Sequence, residues 1–143
     1  MEYRKGSHSI YDLKYHVVFC TKYRFRILTG QVATRAREIV REVCAANYID
    51  IVSGSMSPDH MHLLLSIPPS ISVSKALQYI KGKTGRKLLQ EFEVLRKRYW
   101  GQHLWARGYF VVTVGNVNSE EVQKYIEEQE EYHKKDDFKI SEF

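Results

Sequence analysis

Ser57-Pro58-Asp59-His60-Met61-His62-Leu63-Leu64-Leu65-Ser66-Ile67-Pro68-Pro69 is the stretch on which the fold turns. Ser57-Pro58-Asp59 reads as a turn, and His60 to Ile67 as the strand that follows it. Pro68-Pro69 stops that strand. Ile49 to Met56 reads as the strand before the turn, so the short connection predicts a hairpin. Side chains alternate along a strand, so His60 and His62 share one face while Met61 takes the other. Leu63, Leu64, Leu65 and Ile67 make a buried, central position the expected one for this strand.

The pattern extends outward on both sides. Tyr11 to Cys20 reads as a strand, with β-branched and aromatic character in Val17, Val18 and Phe19. Thr21 to Gly30 is a basic, aromatic connector. From Gln31 to Asn47 the apolar residues Val32, Ala36, Ile39, Val40, Val43 and Cys44 fall at helical spacing, with Asn47 as the end cap. After Pro69, Ser72 or Ser74 caps a helix carrying Val73, Leu77, Ile80, Leu88, Leu89, Phe92 and Leu95. Gly82 and Gly85 weaken its middle, which predicts a bend or break there. Tyr109 to Val114 reads as a strand. Asn118, with Glu121 three residues on, opens a last helix over residues 119–132. The element order is β-α-β-β-α-β plus one C-terminal helix, an α+β chain in the ferredoxin-like order. Two helices then cover one face of a single sheet.

The chain has 143 residues, 43% of them hydrophobic, which suits one domain spanning 1–143 with a real core. Residues 1–9 and 134–143 read as loose tails. No apolar run approaches the roughly 20 residues of a membrane span, and no signal region follows Met1, so a cytoplasmic protein without membrane contact is expected. Cys20 and Cys44 form no CxxC pair and read as buried reduced thiols. The formal net charge is +5, with 22 basic and 17 acidic residues. Acids gather near the C-terminus, at Glu120, Glu121, Glu127, Glu128, Glu130 and Glu131, and bases at 22–26 and 81–98. Such asymmetry suits a surface that meets nucleic acid on one side.

Chemistry concentrates in two places. His60 and His62 are a pair of imidazoles whose spacing is set by the strand pleat. The same pair also suits a solvent-facing or pocket position, and a metal needs at least one further ligand. Far downstream, Tyr125-Ile126-Glu127-Glu128-Gln129 places Tyr125 and Gln129 on one helix face. Gln129 supplies an amide oxygen, making a neutral ligand set that suits Mg2+ or Mn2+ and leaves the ion its full charge. Tyr125 on a helix stripe is ordinarily a core residue. Beside a cation its phenolate forms more easily, and its attack on phosphorus would give a phosphotyrosine that preserves the bond energy for rejoining.

Other motifs are less specific. Gly82-Lys83-Thr84 lacks the glycine a nucleotide loop needs five residues earlier, since position 77 is leucine, so no nucleotide cofactor is expected. Lys81, Lys83, Arg86 and Lys87 are expected to face solvent or phosphates. Thr21-Lys22-Tyr23-Arg24-Phe25-Arg26 alternates cations with rings, a pattern that holds a backbone and stacks on unpaired bases; Lys22, Tyr23, Arg24 and Arg26 are the candidate DNA contacts. His16 lies on the first strand as a core or site-lining residue. Asp59 is expected to point off the His60 face and to serve the turn.

Taken together, four segments resemble the IS200/IS605-family transposases, single-domain HUH enzymes with one catalytic tyrosine. They are His16 to Arg24, Pro58 to Pro69, Leu104-Trp105-Ala106-Arg107-Gly108-Tyr109-Phe110, and Tyr125 to Gln129, in the family's order. The resemblance implies excision and insertion of a mobile element as single-stranded DNA with hairpin ends. It implies a homodimer in which one subunit's tyrosine helix can complete the other's metal site. Tyr125 becomes the nucleophile, and His60, His62 and Gln129 the ligands of Mg2+ or Mn2+. Rival readings are a domesticated nickase of genomic palindromic repeats, a non-catalytic hairpin-binding protein, and a small zinc-binding structural domain.

Overall fold

A computed structural model describes residues 3–6, 8–100, 102–114 and Glu127. Its elements in chain order are β1 (Arg4–Lys5), β2 (Ile10–Tyr11), β3 (Lys14–Cys20), a 3-10 turn (Lys22–Arg24), α1 (Gly30–Ala46), β4 (Asp50–Ser57), β5 (His60–Ser66), α2 (Val73–Glu91), α3 (Glu93–Arg98) and β6 (Phe110–Thr113). The main sheet has the order β4-β5-β3-β6, and every neighbouring pair is antiparallel. This is the ferredoxin-like arrangement: each helical crossover skips one strand, and the β4–β5 hairpin brings β5 to the centre.

Hydrophobic alternation explains the layering. Val17 and Phe19 of β3 and Met61, Leu63 and Leu65 of β5 are buried in one core with Ala36, Ile39, Val40 and Val43 of α1 and Ala76, Leu77, Ile80 and Leu88 of α2. Both helices thus cover the same sheet face. The alternate residues, His16 and Val18 of β3 and His60, His62 and Leu64 of β5, belong to the opposite face. Cys20 and Cys44 are buried free thiols, as their spacing implied.

Local sequence sets the element ends. Ser72 caps α2 by accepting from the Lys75 amide at 3.0 Å. The Asn47 side chain donates to Val43 O at 2.8 Å behind α1.

Two expectations need correction. α2 runs unbroken through Gly82 and Gly85, and the interruption falls at Phe92, whose backbone is extended. Gly85 is buried beneath Trp105, and Thr84 is tied back to Ile80 O, so packing overrides the weak helix propensity. Arg4 and Lys5 are not loose either. They pair with Ile10 and Tyr11, and Arg4 reaches Asp50 at 3.1 Å and Tyr48 O at 2.9 Å. The C-terminal helix expected over 119–132 lies outside the described residues apart from Glu127, which is helical and exposed. Among the described residues, no helix is long and apolar enough to cross a membrane.

Candidate functional site

The β5 strand begins at His60, directly after the Pro58–Asp59 turn, and its register sets both histidines against β3. His60 lies opposite Cys20 and His62 opposite Val18. On the other side they face Ser57 and Ser55 of β4. His60 is buried, with 6% of its surface exposed, while His62 and His16 are half-buried.

Asp59 organises the first histidine. Its Oδ1 lies 2.9 Å from His60 Nδ1, and its Oδ2 accepts from Arg24 Nη2 at 2.8 Å and Nε at 3.0 Å. Burial works against the Asp59 charge, but the His60 hydrogen bond and the Arg24 guanidinium outweigh it and hold the carboxyl below its ordinary value. An ionised Asp59 can only accept, so it fixes a proton on His60 Nδ1 and leaves Nε2 as the nitrogen available to a metal. A carboxylate behind a ligating imidazole is the usual support for a metal-binding histidine.

Asp59 therefore does more than its expected turn role. Strand alternation does not govern it, because it belongs to the turn and its side chain can fold back on His60. Arg24 also departs from its expected place among DNA contacts, since its guanidinium is turned inward onto Asp59 with 8% of the side chain exposed. The backbone pays for that aim, with Tyr23 at φ 62° and Arg24 at φ 54°, both in the left-handed region. Thr21, only 1% exposed, pins the same loop: its amide donates to Asp59 O at 2.9 Å and its hydroxyl to Phe25 O at 2.8 Å.

The second histidine meets a third. His62 Nε2 lies 3.1 Å from His16 Nδ1, with ring centroids 5.3 Å apart. Burial lowers the pKa of His16. Burial also lowers that of His62, helped by the neighbouring His16 and His60. Both rings are thus biased toward the neutral form, which is the form that binds metals. The sequence allows His16 a core or site-lining position, and its contact with His62 makes it site-lining. Its hydrogen bond occupies one nitrogen of His62, so a metal held through Nε2 must displace His16.

These residues fit part of a divalent-cation site. His60 offers an oriented Nε2, and His62, which burial biases toward the neutral form, lies on the same face. Among the described residues, no cluster of three or more His, Cys, Asp or Glu side chains is placed to hold a metal, so the pair needs a further donor. Cys20, opposite His60, is no substitute: burial pushes its thiol up to about 11, so the thiolate a metal prefers is disfavoured. Tyr125 and Gln129 lie outside the described residues.

The expected DNA contacts separate into groups. Tyr23, Arg26, Lys83 and Arg86 are exposed, and Lys22 and Lys87 half-buried. Lys81 differs from its expected solvent-facing role. Its Nζ donates to Ala106 O at 2.8 Å, Gly108 O at 3.1 Å and Arg107 O at 3.2 Å. All three ammonium protons are used, and burial pushes its pKa down to about 8. Lys81 holds the 106–108 segment in place.

Comparison with known proteins places the chain in a family. The family profile described as "Transposase IS200 like" matches residues 9–129. The chain is 35% identical over 129 residues to the ISDra2 transposase TnpA of Deinococcus radiodurans, covering 90% of this chain and 92% of that one. It is 38% identical over 128 residues to the transposase for insertion sequence element IS200 of Salmonella typhimurium, covering 90% and 84%. Among solved structures, a Deinococcus radiodurans protein assigned as a transposase superposes with a TM-score of 0.76 at 33% identity, covering 88% of this chain and 97% of that one. A REP-associated tyrosine transposase bound to a REP hairpin shares the fold, with a TM-score of 0.56 at 16% identity over 88% and 68%. Profile and relatives both span the histidine strand and the residues that brace it, and the chain belongs to the IS200-like transposase family.

Proposed function

We propose that this protein cuts and rejoins single-stranded DNA at the ends of an insertion sequence through a 5′-phosphotyrosine intermediate. The observation that carries the reading is the Asp59-braced His60, with His62 on the same sheet face. His60 has its orientation set by Asp59 before any ligand arrives, which suits a metal site better than a packing role. His60, His62 and Gln129 are assigned as ligands of Mg2+ or Mn2+. A cation so bound would stabilise charge on the scissile phosphate.

The remaining work falls to the chain's own groups. Tyr125 Oη attacks phosphorus, the bond from phosphorus to the 3′ oxygen breaks, and a free 3′-OH is released. The 5′ phosphate stays on the tyrosine. A 3′-OH from a second strand then attacks the phosphotyrosine, which restores a phosphodiester and frees Tyr125. Conserving the ester removes any need for a nucleotide cofactor. The substrate is DNA with hairpin ends, a reading supported by the fold shared with a hairpin-bound protein. The working form is a cytoplasmic homodimer.

Covalent capture tests the assignment. Single-stranded DNA labelled on the 3′ side of the cut should leave its label on the wild-type protein in Mn2+, and not on Tyr125→Phe. Equal labelling of the two proteins would remove Tyr125 from the mechanism.

A further inference from the structure

A second concavity lies away from the histidines, between α2 and the segment 102–107. It is an open groove of about 770 Å³. Lys22, Lys81, Arg86 and Arg107 line it, and among the described residues no carboxylate does. Its occupant is therefore expected to be anionic. Pockets of roughly 300–1,000 Å³ hold drug-sized ligands, so the space suits one or two nucleotides rather than a duplex.

The groove has a built wall. Trp105 is 6% exposed and packs edge-on against Phe19 at 4.8 Å. Its Nε1 is the only buried side-chain nitrogen or oxygen without a hydrogen-bond partner among the described residues. A buried donor left unpaired is costly, and such a group points to a missing acceptor. Gly85 borders the same indole: a Cβ there would lie 3.4 Å from Cδ1 and 3.6 Å from Nε1. Lys81 fixes the neighbouring backbone through three carbonyls.

Its position ties the groove to the histidine end of the sheet. Trp105 bridges Thr21, and the Ala106 amide donates to Cys20 O at 2.8 Å. Cys20 is the β3 partner of His60. A strand that passes His60 thus has a cationic groove at the same sheet end.

The geometry points to this groove as a seat for an unpaired nucleotide of the DNA strand. Phosphate oxygens meet Arg86 and Arg107, and an acceptor on the base edge satisfies the Trp105 N–H. Because the occupant is DNA, the seat rests on the function proposed above.

The test uses full-length protein carrying Trp100→Phe and Tyr125→Phe. Trp105 is then the sole tryptophan, and no covalent step intervenes. A hairpin-free oligothymidylate should change Trp105 fluorescence saturably. Arg86→Ala with Arg107→Ala should weaken its binding by about tenfold or more and flatten the salt dependence. Gly85→Ala keeps ordinary contact distances, favours the helix and covers the indole edge, so it should weaken binding without lowering the melting temperature. Oligonucleotide bound with unchanged affinity in all these variants overturns the groove, while capture on Tyr125 in the otherwise unaltered protein would leave the catalytic reading standing. Thymidine monophosphate binding as tightly as the oligonucleotide overturns the strand as occupant. Absence of both DNA binding and capture removes the two together.

Discussion

Asp59 Oδ1 lies 2.9 Å from His60 Nδ1, so a residue of the hairpin turn holds the first residue of the strand it introduces. The same carboxylate receives Arg24 from a loop 35 positions earlier. Orientation of His60 thus depends on a chain of contacts running from the 3-10 turn through Asp59 to the imidazole.

Asp59→Asn keeps the side-chain shape and removes the charge that fixes the His60 tautomer. Losing such a supporting carboxylate typically costs about 10–100-fold in metal affinity. Mn2+ binding followed by calorimetry should weaken by about tenfold or more. Wild-type affinity in this variant would show that the carboxylate does not prepare His60.

Arg24→Ala tests the same contact from the other side. It leaves Asp59 largely buried without its guanidinium, and removing one partner of such a pair costs about 2–4 kcal/mol. The urea midpoint should fall accordingly. Were Arg24 mainly a phosphate contact, DNA affinity would drop while the midpoint stayed in place.

Metal should stabilise the folded chain through the histidine pair. A ligand that binds only the native state raises stability in proportion to the logarithm of its concentration over Kd. Mn2+ should raise the melting temperature of the wild-type protein, and a chelator should reverse the gain. His62→Ala should abolish the response. A full response in that variant would place the metal elsewhere.

His16 and His62 give the metal-free protein a pH signature. Both have folded pKa values below the ordinary 6.5. Between the folded value and 6.5 the unfolded chain binds more protons than the native one, so stability rises with pH there. The contribution is complete above 6.5 and is lost as pH falls through the folded values. Thermal unfolding between pH 7.5 and 5 should show this loss, and His16→Asn with His62→Asn should flatten it. An equal slope in the double variant would assign the dependence to other groups.

Lys81→Met should loosen the 106–108 segment. It removes the donor shared by three carbonyls, at a cost of about 1–3 kcal/mol. Lys81→Arg should not restore stability, because a planar guanidinium cannot reproduce a compact ammonium among converging oxygens. Hydrogen exchange of the Ala106–Tyr109 amides gives the local readout. Protection equal to wild type in Lys81→Met would show that the segment holds itself.

Much of the architecture was legible in the chain because it follows from local periodicity. Alternation from His60 to Ser66 and the short Pro58–Asp59 turn lead to a hairpin, and the helical spacings on either side lead to the two crossovers. The same alternation put His60 and His62 on one face, since a strand's period is fixed by its covalent geometry. Gly82 and Gly85 misled because propensity weighs each residue alone, whereas Gly85 is buried under Trp105 from a distant segment.

The sequence by itself determined the order of the four main-sheet strands and the two long helices, the shared face of the histidine pair and the identity of the family. Only the tertiary structure decided that Arg24 turns inward to Asp59, that Asp59 holds His60, that His16 meets His62, and that Lys81 closes the 106–108 loop. Most of these contacts join residues far apart in the chain, and the Asp59–His60 contact depends on a turn whose side chains obey no strand or helix period. Periodicity assigns a side chain to a face. Which charge or ring it meets there is set by how strands pair and loops close, and that is decided in three dimensions.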